Sequence, residues 1–241
     1  MLQLDYYGAT ATIIYHTYHE VAVKTLMIDL GIEREVLSTR DAFKRTRLVL
    51  NHYNPPSLWE HVHANWRTFE DEICSDLRMQ RTKVAMLCTG VDMDTLAIHS
   101  ESYQEFKVTV VATAGVAQNA LRVGHDLGMS VERNGEFEHL GTINLIIMVN
   151  AKLSQNAMAR SIITATEAKA AVLQDLNIKS SFSPDVLATG TGTDNLIIVS
   201  GSGVQISYTG GHSKIGELIG RATYCAIHQA LANNSDEEPR Q

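Results

Sequence analysis

Between residues 83 and 149 the chain carries four short apolar, β-branched runs: Lys83–Cys88, Thr95–His99, Lys107–Thr113 and Thr142–Val149. Runs of this length are too short for packed helices and read as strands. The dipeptide Asn134-Gly135 between the last two is a strong tight-turn signal. The first fifty residues also read as strands and turns, ending in Thr46–Asn51, and Asn54-Pro55-Pro56 then stops the extended chain because proline cannot donate to a ladder. A chain so rich in strands must cover at least one sheet face, and only a few segments are able to do it.

Three segments carry helical periodicity. From Trp59 to about Met79, Val62, Trp66, Phe69, Ile73 and Leu77 recur at spacings of three and four and predict one buried stripe. In Ser154–Leu176, Ile162, Ile163, Thr166, Ala170, Leu173 and Leu176 are the expected core face, with Asn156, Arg160, Thr164, Glu167 and Gln174 on another. In Ser213–Leu231, the stripe is Ile215, Leu218, Ile219, Ala222, Ala226 and Ala230, Ser213 is the expected N-cap, and Gly216 and Gly220 allow a neighbour to approach closely. The expected fold is α+β: a layered single domain over residues 1–232, with a mixed, largely antiparallel sheet packed by two long helices. Residues 233–241, polar and acidic without apolar periodicity, are expected to form a disordered tail. An internal echo links Thr89-Gly90 and Asp94-x-Leu96 to Thr189-Gly190 and Asp194-x-Leu196, and Gly141-Thr-Ile-Asn-Leu-Ile-Ile to Gly192-Thr-Asp-Asn-Leu-Ile-Ile. Duplicated turn-and-strand units would explain it, and so would chance use of common turn formers.

Charge narrows the partners. With 20 Lys and Arg against 27 Asp and Glu, the net charge of −7 argues against a nucleic-acid surface. Cys74, Cys88 and Cys225 form neither a zinc knuckle nor a disulfide framework, which fits a reducing cytoplasm. The amino terminus lacks a basic stretch followed by an apolar core, and no apolar run approaches the ~18 residues needed to span a bilayer, so no membrane partner is expected. A homodimer is plausible on general grounds.

Three passages carry chemistry. The first, Ala188-Thr-Gly-Thr-Gly-Thr-Asp-Asn195, sets hydroxyls, glycines and a carboxylate before the apolar run Leu196–Val199. Its glycines let backbone N–H groups face a ligand or an oxyanion; a plain polar turn is the competing explanation. Lysine is missing from the Walker position, and a strand rather than a helix follows. The second, Thr209-Gly-Gly-His-Ser-Lys-Ile-Gly216, ends at a helix start that favours anions, which makes His212 a candidate general acid and Lys214 a candidate binding residue. The third runs from Thr113 to Asp126 and offers Asn119 and Arg122 as donors to amide groups on a substrate. Glu167 faces away from the expected core of its helix, where a solvated carboxylate is the default. His61 and His63, two apart on a helix, cannot chelate one ion together, and His16 and His19 lack the His-Glu-x-x-His order.

Thr113-Ala-Gly-Val with Asn119-Ala120, Gly141-Thr-Ile-Asn144, Glu167-Ala-Lys169, Ala188-Thr-Gly-Thr-Gly-Thr-Asp194 and Gly211-His212 through Gly216 to Ile219-Gly220 resemble, in order and spacing, the adenosylcobinamide amidohydrolase family. The resemblance runs from about Val36 to about Leu231 and departs at His125, where the family usually has Gly directly before Asp. It implies hydrolysis of adenosylcobinamide to adenosylcobyric acid and 1-amino-2-propanol for cobalamin salvage. The partner would be a small corrinoid, with no resident cofactor or metal, because the cobalt enters with the substrate. Amide hydrolysis needs a nucleophile, oxyanion donors and an acid for the departing amine. The chemistry then assigns Asp194 as base for water or for a neighbouring hydroxyl such as that of Thr193. Amides around Gly190 and Gly192 are the oxyanion donors, His212 is the acid, and Glu167 orients or substitutes. Thr189, Thr191, Asn144, Asn119, Arg122 and Lys214 are the expected substrate contacts. The rivals are a corrinoid carrier without chemistry, a nucleotide-binding transferase using Asp92, Asp94 or Asp194 for a metal, and a metal-dependent amidase using His212, His125 and Asp194.

Overall fold

One strand of eighteen residues organises the sheet. In the computed structural model, which describes residues 2–6, 8–128 and 142–237, strand β2 (Val21–Ser38) pairs along its first half with β1 (Thr10–Tyr18) and along both halves with β3 (Ala42–Tyr53). Its last three residues also pair with β11 (Asn195–Ser200). The register with β3 shifts between Asp29 and Arg34, and Gly31, at φ 76°, takes the left-handed backbone there. A Cβ at that position would overlap the Gly8 carbonyl. The irregularity bends the long hairpin, as bulges do.

The remaining main strands are β4 (Val84–Thr89), β5 (Ala97–Tyr103), β6 (Phe106–Ala114) and β8 (Ile143–Val149). Together with the first four they make a mixed eight-stranded sheet of order β4-β3-β2-β11-β8-β6-β5, with β1 added to β2. β3 with β4 and β11 with β8 are parallel; the other pairs are antiparallel. Two ribbons complete the fold, β7 (Ala120–Leu121) with β10 (Gly190–Thr191) and β9 (Lys152–Leu153) with β12 (Gln205–Ile206). Each expected strand is present, though the one read at Thr95–His99 runs from Ala97 to Tyr103 and the one ending at Thr46–Asn51 runs from Ala42 to Tyr53. Asn134-Gly135 lies outside the described residues.

The sheet curls on itself. Ile146, Met148, Ile197, Val199 and Val111 from its second half share an inner cluster with Leu26, Ile28, Val49 and Leu87 from its first. The free edge of β4 is closed by side chains. Lys44 Nζ donates to the Val84 carbonyl at 2.6 Å, Met86 N–H donates to Asp41 Oδ2 at 2.8 Å, and Asn144 Nδ2 donates to the Cys88 carbonyl at 2.9 Å. A buried edge left unpaired would cost roughly 1–3 kcal/mol per orphaned group. Asn144 also donates to Asn51 Oδ1 at 2.8 Å, and Asn51 to Thr113 Oγ1 at 3.1 Å, so β3, β4, β6 and β8 meet through one buried amide network.

Helices cover the two outer faces. α3 (Gln155–Asp175) and α4 (Lys214–Glu237) pack on β5, β6, β8 and β11, while α1 (Trp59–Ala64) and α2 (Trp66–Asp76) cover β3 and β4. Ser154 and Ser213 are the N-caps of the long helices, accepting from Ala157 N–H at 3.2 Å and Gly216 N–H at 3.1 Å. Every residue of the expected α4 stripe is buried.

Three expectations are corrected. The helix from Trp59 breaks at Asn65, whose side-chain amide donates to the His61 carbonyl at 2.9 Å and competes with the helical ladder. α3 is rotated from its expected face: Ile163 is 49% exposed and Thr166 is exposed, while Ala157, Met158, Ser161, Thr164, Ala165, Lys169, Val172 and Leu173 are buried. The hydroxyls decide this, because Ser161 Oγ and Thr164 Oγ1 donate to Thr209 at 3.0 and 2.8 Å and bind a buried loop that larger aliphatics would leave unsatisfied. Residues 233–237, expected to leave the fold, continue α4, and Asn233 Nδ2 donates to the Thr95 and Leu96 carbonyls at 3.2 and 3.3 Å. Residues 238–241 lie outside the described residues.

The internal echo has a structural counterpart: β8 and β11 run side by side in parallel, with Asn144 opposite Asn195, Leu145 opposite Leu196 and Ile146 opposite Ile197. The two similar sequences are thus neighbours in matching register. No helix among the described residues is long and apolar enough to cross a membrane.

Two measurements test this packing. A Cβ at Gly216 would collide with the Gly210 backbone carbonyl, whereas one at Gly220 meets nothing nearer than Thr164 Cγ2 at 4.0 Å. Gly216→Ala is therefore expected to lower the denaturation midpoint by the equivalent of ~1–3 kcal/mol, and Gly220→Ala to hold or raise it by up to ~1 kcal/mol; equal effects would refute the close approach. Burial, reinforced by the His16 charge, holds the His52 imidazole down at a pKa of about 3. Below its unfolded value of ~6.5 the denatured chain binds a proton that the native state refuses. This contribution to stability is complete above pH ~6.5 and falls as pH drops toward 3, by at most ~1.4 kcal/mol per unit. Urea titrations across that window should show a shallower pH slope in His52→Asn, and an identical slope would remove His52 from the account.

Candidate functional site

The sheet has two ends, and the sequence passages divide unequally between them. At one end β8 and β11 begin and β6 finishes, and Asn51 near the end of β3 and Cys88 near the end of β4 meet Asn144 there. There Asp194, in the turn between β10 and β11, is the centre of a dense set of donors. Its Oδ2 is ion-paired with Lys169 Nζ and accepts from Thr191 N–H at 3.0 Å. Its Oδ1 accepts from Ile143 N–H at 3.0 Å and from the Thr191 hydroxyl. The two charged side chains are 11% and 15% exposed, so the pair is largely desolvated. Gly190 makes room for it, since a Cβ there would overlap Asp194 Oδ2 and lie 2.6 Å from Lys169 Nζ.

The β7–β10 ribbon lays the Thr113–Asp126 passage against the Ala188–Asp194 passage. Leu121 pairs with Gly190 and Ala120 with Thr191. Thr189 Oγ1 accepts from Val123 N–H at 3.0 Å, and Arg122 Nη1 donates to the Leu187 carbonyl at 3.1 Å. Asp126 Oδ2 accepts from Arg122 N–H and from the Ser180 hydroxyl, both at 2.6 Å, and the first of these bonds helps hold its carboxyl below the usual range. Asp126 therefore caps a turn beside the cluster. Asn119, partly buried, immediately precedes this ribbon, while Gly192 is exposed and Thr193 partly exposed on the turn into β11. The Thr142 hydroxyl donates to the Thr193 carbonyl and fastens that turn to β8.

Some expected site residues are elsewhere. Asn144 is buried, and its amide is committed to Asn51 and Cys88 while its Oδ1 accepts from Thr142 Oγ1 at 3.3 Å; it supports the site from below rather than reaching a ligand. Glu167 is exposed, and two residues along a helix turn it about 200° from Lys169, so it stands off the cluster. His212 and Lys214 are at the opposite end of the sheet. Lys214 Nζ lies 4.7 Å over the ring of Tyr103, the last residue of β5, and His212 is exposed beside Tyr208 at 5.2 Å between ring centroids. The six residues of β11 alone span about 20 Å, so His212 cannot protonate a group held at Asp194, and the expected base–acid pairing of these two residues is corrected. The separation also parts His212 from Asp194 as metal ligands.

Lys169 is the residue that sequence reasoning passed over. Its signal was present: Ser161, Ala165, Lys169 and Val172 follow one another at helical spacings of four, four and three. A lysine on such a small-residue stripe must be buried, and a buried lysine needs a carboxylate. Asp92 and Asp94 are occupied by Lys24, whose Nζ lies 2.6 Å from an oxygen of each. Burial raises the Cys74 thiol to about 11 and pushes Cys88 up further, which leaves both protonated and unreactive at neutral pH. Among the described residues, the His/Cys/Asp/Glu groups spaced to hold a metal ion are His19–His61–Glu72 and His99–Glu101–Cys225, and neither includes a residue of the Asp194 cluster.

Removing one partner of the buried pair strands the other's charge. Lys169→Met is expected to destabilise the protein by ~3–5 kcal/mol, and Lys169→Met with Asp194→Leu by clearly less than the sum of the single changes. Additive losses in denaturant titrations would show that the two charges do not depend on each other.

Comparison with known proteins places the chain in a family. The family model described as adenosylcobinamide amidohydrolase matches residues 10–239, more of the chain than the motifs alone delimit. An uncharacterized protein of Methanocaldococcus jannaschii is 41% identical over 219 residues, covering 86% of each chain. A protein of Methanosarcina mazei named adenosylcobinamide amidohydrolase is 28% identical over 230 residues, covering 89% of this chain and 96% of that one. A Pyrococcus horikoshii crystal structure covers 97% of the chain at 12% identity, with a TM-score of 0.44. On the family match over nearly its whole length, the chain belongs to the adenosylcobinamide amidohydrolase family.

Proposed function

We propose that the protein hydrolyses the amide joining aminopropanol to the corrinoid in adenosylcobinamide, releasing adenosylcobyric acid. The observation that carries this reading is convergence. Four of the five family-like segments, those holding Asn119, Asn144, Lys169 and Asp194, meet at one end of the sheet around a single hydrogen-bonded carboxylate.

The Thr191 hydroxyl already donates to Asp194 Oδ1, which is the relation between a nucleophile and its base. In the proposed first step the Thr191 oxygen attacks the amide carbon as its proton passes to Asp194. The ammonium of Lys169, held on Oδ2, keeps a positive charge beside the carboxylate before the transfer. Backbone amides around Gly190 and Gly192 serve as oxyanion donors, the role that glycine turns suit best. The proton taken from Thr191 is then handed to the departing amine, so Asp194 supplies the acid function that the sequence assigned to His212. Water, deprotonated by Asp194, cleaves the resulting ester and returns the Thr191 hydroxyl. Asn119 and Arg122 stand beside the same ribbon as candidate donors to the peripheral amides of the corrinoid, which brings its own cobalt.

Incubation of the purified protein with adenosylcobinamide, followed by chromatography and mass analysis, is expected to give adenosylcobyric acid and 1-amino-2-propanol. Asp194→Asn and Thr191→Val should each lower turnover by about 10²–10⁴-fold, Thr191→Ser should retain a large part of it, and Glu167→Gln and His212→Ala should leave it near that of the unaltered protein. Tight binding with the ligand left intact would establish a carrier instead. Loss of turnover in His212→Ala with Asp194→Asn unaffected would move the site to the other end of the sheet.

A further inference from the structure

A second constellation of reactive groups stands apart from the Asp194 cluster. His19 is the first residue of the two-residue turn between β1 and β2, His61 is on α1 and Glu72 is on α2. One donor atom from each lies within 4.8 Å of the other two. His19 Nε2 is 4.0 Å from Glu72 Oε2, and the two imidazole rings are 4.1 Å apart between centroids. Around a tetrahedral ion with bonds of ~2.0–2.2 Å, neighbouring donor atoms are separated by roughly 3.3–3.5 Å. The three groups are therefore within about 1.5 Å of ligating separations in the absence of an ion, a gap that side-chain rotation of partly exposed residues can close.

We propose that His19, His61 and Glu72 bind a divalent transition ion of the zinc type. Two imidazoles and a carboxylate are a donor set that suits zinc and its chemical neighbours, and magnesium or calcium would prefer all-oxygen ligation. Tyr18 supplies the supporting shell. Buried at 4% exposure, it donates its hydroxyl to Glu72 Oε2 at 2.6 Å and lies 3.2 Å from His61 Nε2, so a fixed group touches both the carboxylate and an imidazole and holds their relative orientation. The turn holding His19 requires positive φ at both positions, and His19 and Glu20 adopt it at 47° and 63° without glycine. With side-chain exposures of 53% and 43%, His19 and Glu72 leave a fourth position open to water or to an incoming ligand. The ion would tie the β1–β2 turn to both short helices, which are otherwise joined to it through Tyr18 and Phe69.

The His99–Glu101–Cys225 group is the internal control. His99 and Glu101 are already paired at 3.1 Å, and its third donor is a thiol. Cobalt(II) distinguishes the two groups, because a coordinated thiolate produces an intense charge-transfer band that imidazole and carboxylate ligands do not. The full chain, stripped with chelator, is titrated with Co²⁺ and back-titrated with Zn²⁺. The expected result is one equivalent bound with visible ligand-field bands and no thiolate band. It should be displaced by Zn²⁺ and lost in His19→Ala and His61→Ala, with affinity weakened about 10- to 100-fold in Tyr18→Phe. Thermal midpoints in chelator check that the variants remain folded. Saturable binding that survives His61→Ala, a thiolate band that vanishes in Cys225→Ser, or no saturable binding at all would each overturn the proposal.

Discussion

The buried amide of Asn144 is the point on which the curled sheet depends. A sheet that folds back far enough for its two halves to share an inner core brings the free edge of β4 into the interior, where backbone groups have no water. Among the described residues, no strand pairs with that edge. Asn144, Asp41 and Lys44 take the exposed carbonyl and N–H positions one by one, and Asn144 at the same time reaches Asn51. An aliphatic residue at 144 would satisfy the core and leave the Cys88 carbonyl and Asn51 without their donor. This is why a polar side chain stands in the otherwise apolar run Ile143–Val149.

The same geometry builds the site. Because β8 and β11 are parallel and in register, both begin at one end of the sheet, and Thr142, just before β8, is bonded to Thr193, two residues before β11. Ile143 N–H, left over at the start of β8, points at Asp194. α3 delivers Lys169 to the same place from the outer face, and the absence of a side chain at Gly190 lets the ammonium through. A carboxylate in this setting is held by one charge and three hydrogen bonds. Its position is fixed far more firmly than that of a surface aspartate, and pre-organisation of this sort is what acid–base chemistry on an amide requires.

The outer face carries a different economy. α1 and α2 are short, broken at Asn65, and held to the sheet by Val62, Phe69 and Ile73 with Tyr18 from the hairpin. The long helices on the other face need no such help, since their small residues allow close packing and their hydroxyls satisfy the Thr209 loop.

Strand positions, the two long helices with the Ser213 cap, and the α4 stripe were all legible from local pattern, because alternation, periodicity and capping act within a few residues of each other. The glycine-threonine passage before Asp194 was legible as a distinct polar segment, and the structure gathers it around that carboxylate. Which carboxylate, lysine and histidine would meet was not, for that depends on strand order and on the side of the sheet each helix covers. Asp194 and Lys169 are brought together by parallel pairing of strands some fifty residues apart, and His212 is carried to the far end of β11 by the same pairing. The sequence by itself determined the elements and the family to which they belong; only the tertiary structure decided that Lys169 rather than Glu167 faces Asp194, because a helix that must satisfy buried hydroxyl contacts at Ser161 and Thr164 has no freedom left in which face it turns inward.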